Sequence, residues 1–403
     1  MLVTYRITNY KSFGDTQMFD LRATQQNEFP SSLYEHNDLR VNKKACIIGP
    51  NGSGKSQLLR SLIDLCKVVN TEDLKGISQP FRLNNVNPLE PTKFEVVAYV
   101  KNINSLLSYT LSVLNGKVIE ESLYCRKNEK NQHNKMIFNR SANKVEISPD
   151  YSTHEALLST VTNTRLIINV LSGLSIDVID QYITWCSKNI LIEPRVINYE
   201  GLLEKLLDQA HDEVYNDYEQ TRQFHKNIED YANKYLHCFG INVEKVNISF
   251  NNENKTTISV IPKTLADEKI RLTISEAKDF YSTGSFNLIT LFILLGIVHY
   301  WTGVILFDEI DSTFHHKLSK EIINIISSDD NNSPQLILTT HDILLLDNDF
   351  RRDSIYTITK GEHLKSHIDR VSKYSIRKDA KLSLKYLSDE FGALPRILEN
   401  YCD

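Results

Sequence analysis

No apolar stretch in this 403-residue chain reaches the roughly 18–20 residues needed to cross a bilayer. The longest, LITLFILLGIVHYW from Leu288, reads instead as a helix buried in a protein core. The opening MLVTYRITNYKSF lacks both an apolar core and a cleavage site, so no secretory leader and a cytoplasmic setting are expected. Six cysteines (Cys46, Cys66, Cys125, Cys186, Cys238 and Cys402) include no CxxC pair and none has a histidine at ligand spacing. That excludes the usual thiolate metal and redox motifs and suits a reducing compartment. Charge of one sign is also lacking. A net charge of −5 gives no global pull toward nucleic acid or anionic lipid. Internal repeats and low-complexity tracts are absent, as are the H-N-H and PD-(D/E)xK spacings of nucleases.

What is present begins with alternation. Leu2, Val3, Tyr5 and Ile7, then Met18, Phe19 and Leu21, predict two short strands joined at the NYKSFG turn. Residues 93–147 read as a run of strands separated by turn residues, Asn115-Gly116 among them. From 151 to 239 the pattern changes. Leu203, Leu207, Ala210, Val214 and Tyr218 recur at steps of three and four, as do Ile228, Ala232 and Tyr235, which predicts one or two long amphipathic helices. Residues 200–240 carry nine acidic and four basic side chains, a solvated acidic face unsuited to phosphate. Strand patterns return at VEKVNISF and TTISVIP, followed by alternating helices and strands to about residue 348. The expected organisation is a discontinuous α/β domain, 1–150 with 240–403, interrupted by a helical insertion at 151–239.

The stretch Gly49-Pro50-Asn51-Gly52-Ser53-Gly54-Lys55-Ser56, followed by Gln57, fits G-x4-G-K-[ST] in full. Glycines let backbone N–H groups turn inward around phosphate oxygens, and the helix that follows adds its positive end. Lys55 is placed to reach the β- and γ-phosphates, and the Ser56 hydroxyl to ligate Mg²⁺. A buried strand, Ala45 to Ile48, precedes the loop, as the motif requires. About 250 residues later, GVILFDEIDS puts Asp308 and Glu309 at the C-terminal end of another buried strand, where parallel sheets bind ligands. Asp308 is the candidate Mg²⁺ ligand and Glu309 the group that orients or deprotonates the attacking water. Alone, such a strand end is weak; paired with the loop it is strong.

Two further pieces stand between alternatives. Ser282-Thr283-Gly284-Ser285 opens a long apolar helix. It is either a plain hydroxyl N-cap or an anion site facing another subunit's γ-phosphate. QLILTTHD ends a strand in His341, either an ordinary strand-end histidine or a contact to the γ-phosphate or its water. His315-His316 is a candidate metal pair or part of an interface turn.

In this order the parts resemble the ABC-type ATPase heads of the SMC and RecF-like class, with STGS in the place of the signature motif, DEID in that of Walker B and TTH in that of the switch histidine. NYKSFGD is similar to that class's entry strand. More narrowly, DEIDSTFHHKL and YLSDEFGALP resemble stand-alone AAA-type ATP-binding proteins of bacterial abortive-infection and phage-defence operons. The resemblance implies a P-loop NTPase fold, a mixed sheet with flanking helices and an antiparallel β subdomain. It implies ATP and Mg²⁺ as cofactors, Lys11 and Ser12 near the nucleotide, Gln79 as the metal-side glutamine, and Ser282, Gly284 and Ser285 closing over the ATP of a facing copy. Glu309 and His341 are then the catalytic pair.

A kinase would need a second motif to orient its acceptor, and a GTPase an N/TKxD motif; neither is found. The expected function is therefore an ATPase that pairs head to head on ATP and regulates a separate nuclease or toxin in anti-phage defence. A DNA-repair or DNA-maintenance ATPase, and a poorly hydrolysing scaffold that stores a toxic partner, remain alternatives. Segment 351–390, with ten Lys/Arg against six Asp/Glu and three interleaved tyrosines, is the candidate nucleic-acid contact.

Overall fold

The structure, a computed structural model, describes the chain apart from residues 26–27, 142–143, 194–201, 205, 209–217, 251–255, 265–268, 300–302, 328–332, 348–349, 378–379 and 396–403. Two compact units emerge. The first comprises Met1–Ile192, Thr302–Glu309 and Asp329–Asp403; the second comprises Glu193–Trp301 and Ile310–Ser328.

The first unit holds a six-stranded sheet in the order Ile190–Ile192, Val304–Phe307, Gln335–Thr339, Lys44–Ile48, Ile355–Lys360, Ser366–Arg370. The first five strands run parallel and the last is antiparallel. The three central strands are buried at every position, the pattern of parallel strands covered on both faces. Behind Lys44–Ile48 follows the helix Lys55–Thr71. Its buried Leu58, Leu62, Leu65 and Val69 recur at three and four residues, so one stripe faces the core. Glu72 stops it in the left-handed conformation, its N–H closing on Val68 O. Helix Asp177–Ser187 packs against it. Gly303 admits the edge strand, because a Cβ there would lie 1.8 Å from Lys188 O.

The same unit holds a seven-stranded antiparallel sheet, ordered Lys144–Ile147, Lys135–Ser141, Lys117–Lys127, Ser105–Leu114, Thr92–Val100, Leu2–Thr8, Gln17–Asp20, and a short hairpin of Leu33–His36 with Leu39–Asn42. The strands read from alternation are all here. Asn115 and Gly116 both have positive φ, 51° and 73°, as a two-residue hairpin turn of this twist demands.

In the second unit, helices Tyr218–Cys238 and Thr283–Val298 pack together beside a three-stranded sheet of Val243–Phe250, Thr256–Pro262 and Leu272–Thr273. Tyr235 stacks on Phe292 at 5.5 Å, and Gly296 lets the helices approach where a Cβ would meet Ile228 Cγ2 at 3.0 Å. The long apolar run is thus a core helix, and among the described residues no helix is long and apolar enough to cross a membrane. Of the earlier stretch of apolar spacing, Leu203 and Leu207 are buried, whereas Ala210 and Val214 lie outside the described residues. The division expected at 150/151 and 239/240 does not coincide with these units. Residues 151–192 belong with the first because the helix at 177 packs on the P-loop helix and Ile190–Ile192 pairs with Val304–Phe307.

Candidate functional site

Three glycines shape the phosphate loop. Gly49, Gly52 and Gly54 have φ of 151°, 71° and 116°, where a side chain is strained. At Gly49 a Cβ would also collide with Ile358 O at 2.1 Å. The chain wraps round the buried Lys55, whose Nζ donates to Gly49 O at 2.8 Å and Pro50 O at 3.1 Å. Ser53 Oγ is buried without a hydrogen-bond partner, while Asn51 and Gly52 are exposed and Ser56 and Gln57 are half-buried. An orphaned hydroxyl inside a cradle of inward-turned backbone fits a phosphate, which supplies acceptors.

Strand register brings the acids to this loop's neighbours. The histidine strand pairs with Lys44–Ile48 on one side (Thr339 opposite Ile47) and with Val304–Phe307 on the other (Leu338 opposite Phe307). Asp308, Glu309 and His341 therefore emerge at the same sheet edge as the loop. Asp308 is 7% exposed; its N–H donates to Ile192 O, and its Oδ1 accepts from Thr339 Oγ1 at 2.6 Å. Glu309 takes a left-handed φ of 50°, and its N–H donates to the same Thr339 oxygen at 2.7 Å. Its Oε1 stands 4.0 Å from His341 Nε2, both side chains about one-third exposed. Ser56 and Asp308 offer hard oxygen donors, and the described residues contain no cluster of three or more His, Cys, Asp or Glu. That set fits Mg²⁺, which keeps water and phosphate ligands, rather than a fully protein-bound ion.

Lys11 and Ser12 lie on the turn after the first strand. Ser12 N–H donates to Gln57 Oε1 at 2.9 Å, and Lys11 N–H to Gln79 O at 2.8 Å. Together with Gln57 and Gln79 they line a cleft of about 460 Å³ that also includes Arg82 and Lys360. Gln79 keeps company with Lys11 and with Gly76, whose carbonyl accepts from its side-chain amide. Sequence reasoning missed Ser366, whose hydroxyl donates to Ser53 O and accepts from Ser12 Oγ and so ties the loop to the entry turn. It also missed Thr339, whose partners Asp308 and Glu309 reach it only through strand pairing.

In the second unit, Ser282 caps Thr283–Val298, its Oγ accepting from Ser285 N–H at 3.3 Å. Ser282 and Thr283 are exposed, and a Cβ on Gly284 would meet nothing within 4 Å. Tyr281 before it donates to Asn242 O, and burial pushes its hydroxyl up to about 12. His315 Nδ1 accepts from Lys317 N–H at the start of helix His316–Ile326.

Segment 351–390 spends most of its cations internally. Arg351 pairs with Asp353 at 3.0 Å, both buried. Arg352 donates to Ile376 O and Arg377 O, and Arg370 to Asp353 O and Arg22 O. Lys365, Lys373 and Lys385 pair with Asp15, Asp369 and Glu390.

Residues 204–347 match the family described as "AAA domain, putative AbiEii toxin, Type IV TA system". The match takes in the hydroxyl–glycine corner, both acids and His341, and leaves the phosphate loop outside it. Among curated proteins none matches the chain. Among solved structures, the chain is similar to an SMC head bound to the C-winged helix domain of ScpA, at 12% identity over 91% of this chain and 96% of that one, with a TM-score of 0.49. It is likewise similar to the SMC head domain from Thermotoga maritima, at 12% identity over 93% and 99%, with a TM-score of 0.42. The phosphate loop at the C-terminal end of a buried parallel sheet is the arrangement of a P-loop NTPase fold, and residues 204–347 are similar to the AAA domain of that family.

Proposed function

We propose that this chain binds and hydrolyses ATP with Mg²⁺, that two copies pair head to head across two nucleotides, and that the pairing controls a separate nuclease or toxin in bacterial anti-phage defence. The single observation that carries the reading is the shared sheet edge. The phosphate loop, Asp308, Glu309 and His341 all leave adjacent parallel strands there. In this reading the loop N–H groups and Lys55 grip the β- and γ-phosphates, and Ser56 and Asp308 hold Mg²⁺, which would neutralise charge on the transferring phosphoryl group. Glu309 takes the proton of the attacking water, with His341 beside it. The exposed Ser282 and Thr283 at the start of their helix support a role as lid on the facing copy's nucleotide. The family match over 204–347 supports the defence setting. Direct nucleic-acid binding through 351–390 draws little support from side chains already committed to internal partners.

Light scattering on Glu309→Gln tests the core of this. With ATP the variant should run as a long-lived dimer and without ATP as a monomer, its turnover falling by about 10²–10⁴-fold, the usual worth of a general base. A variant that binds ATP and stays monomeric sinks the pairing.

A further inference from the structure

We infer that Thr339 is a positioning residue that sets both acidic groups of the site through one hydroxyl. This rests on the ATPase reading above and adds a residue to it. Thr339 is the last residue of its strand and fully buried. Because Leu338 pairs with Phe307, the next step along both strands brings Thr339 beside Asp308. Its Oγ1 lies 2.6 Å from Asp308 Oδ1 and 2.7 Å from Glu309 N. An amide N–H can only donate, so the hydroxyl must accept from Glu309 and give its single proton to Asp308.

The two bonds do different things. The bond to Asp308 commits one carboxylate oxygen to the protein and fixes the plane in which the other is presented. The bond to Glu309 holds a backbone that a non-glycine residue adopts only at a cost, φ being 50°. With that turn held, the Glu309 carboxylate stands beside His341, two residues further along the chain from Thr339. Metal ligand and base are thereby fixed relative to each other by one buried atom, and neither is free to adjust alone. A purely structural hydroxyl would make the same two bonds, but its loss would register only in stability.

The two roles separate in Thr339→Val, which keeps the volume and loses the hydroxyl, and Thr339→Ser, which keeps the hydroxyl and loses the methyl. Full-length proteins are titrated with a fluorescent ATP analogue across a range of Mg²⁺, and kcat, KM and melting temperature are recorded. Thr339→Val is expected to bind the analogue normally without Mg²⁺. It should then need about 10–100-fold more Mg²⁺ for the enhanced binding and lose kcat by a similar factor, as when a ligand's orienting partner is removed. Its KM should stay near that of the wild type. Thr339→Ser should melt lower than wild type yet keep its Mg²⁺ midpoint and kcat. Thr339→Ala replaces the valine variant where that protein does not fold. A valine or alanine variant with unchanged Mg²⁺ midpoint and kcat overturns the inference, as does a serine variant whose kcat falls as far as theirs. A wild-type protein that binds no analogue overturns the ATPase reading itself, and this inference with it.

Discussion

At the scale of single residues, Asp353 shows how much one buried charge depends on its neighbours. It is fully buried, with Arg351 at 3.0 Å and Thr24 donating through both its N–H and its hydroxyl. Burial raises the carboxyl, but the Arg351 and Thr24 bonds outweigh it and hold Asp353 below its usual value. A depressed folded-state value means the stabilisation is present above the unfolded value of 3.8 and is lost as pH falls through the folded one. Asp353→Asn removes one partner of a buried ion pair and should cost about 3–5 kcal/mol in urea unfolding at pH 7. The gap to wild type should narrow once the pH drops below the carboxylate range; a gap constant with pH would rule out the ionic origin. Residues such as Lys55, Asp308 and His341 were legible in the sequence because each sits in a short local motif. Thr339 and Ser366 were not, since their partners lie 30 residues or more away and meet only through strand pairing.

At the scale of elements, the contrast lies between length and partnership. The strands at 92–147 declare themselves by alternation over several residues, and the core helix by its unbroken apolar run. Ile190–Ile192 has three residues, too few for a period, and becomes a strand only by pairing with Val304–Phe307. That is why 151–239 read as one insertion when its first part belongs to the central sheet. The helix pair of the second unit depends on Gly296, where any Cβ presses on Ile228 Cγ2 at 3.0 Å and Ile228 O at 3.3 Å. Gly296→Val overfills this crossing and should cost about 1–3 kcal/mol. Hydrogen exchange should then show faster opening in Tyr218–Cys238 and Thr283–Val298; unchanged protection there would show that the helices have room to spare.

For the whole molecule, nucleotide binding should be visible as stability. A ligand at 100 times its Kd that binds only the folded state adds about 2.7 kcal/mol. ATP with Mg²⁺ should therefore raise the melting temperature of the wild type and leave Lys55→Ala unmoved. Equal shifts in both proteins would place the nucleotide somewhere other than the loop.

The order in which the central strands occur along the chain bears on how the protein is made. Both hydrogen-bonded neighbours of Lys44–Ile48, the strands at 335–339 and 355–360, are translated late, as is Ser366, which tethers the loop. A ribosome that has released the phosphate-binding motif has not yet supplied either strand that flanks it in the sheet. Pairings of such long sequence separation form slowly and leave apolar edges open meanwhile. A product truncated before residue 335 would therefore hold every residue of the motif and neither of the strands that flank it.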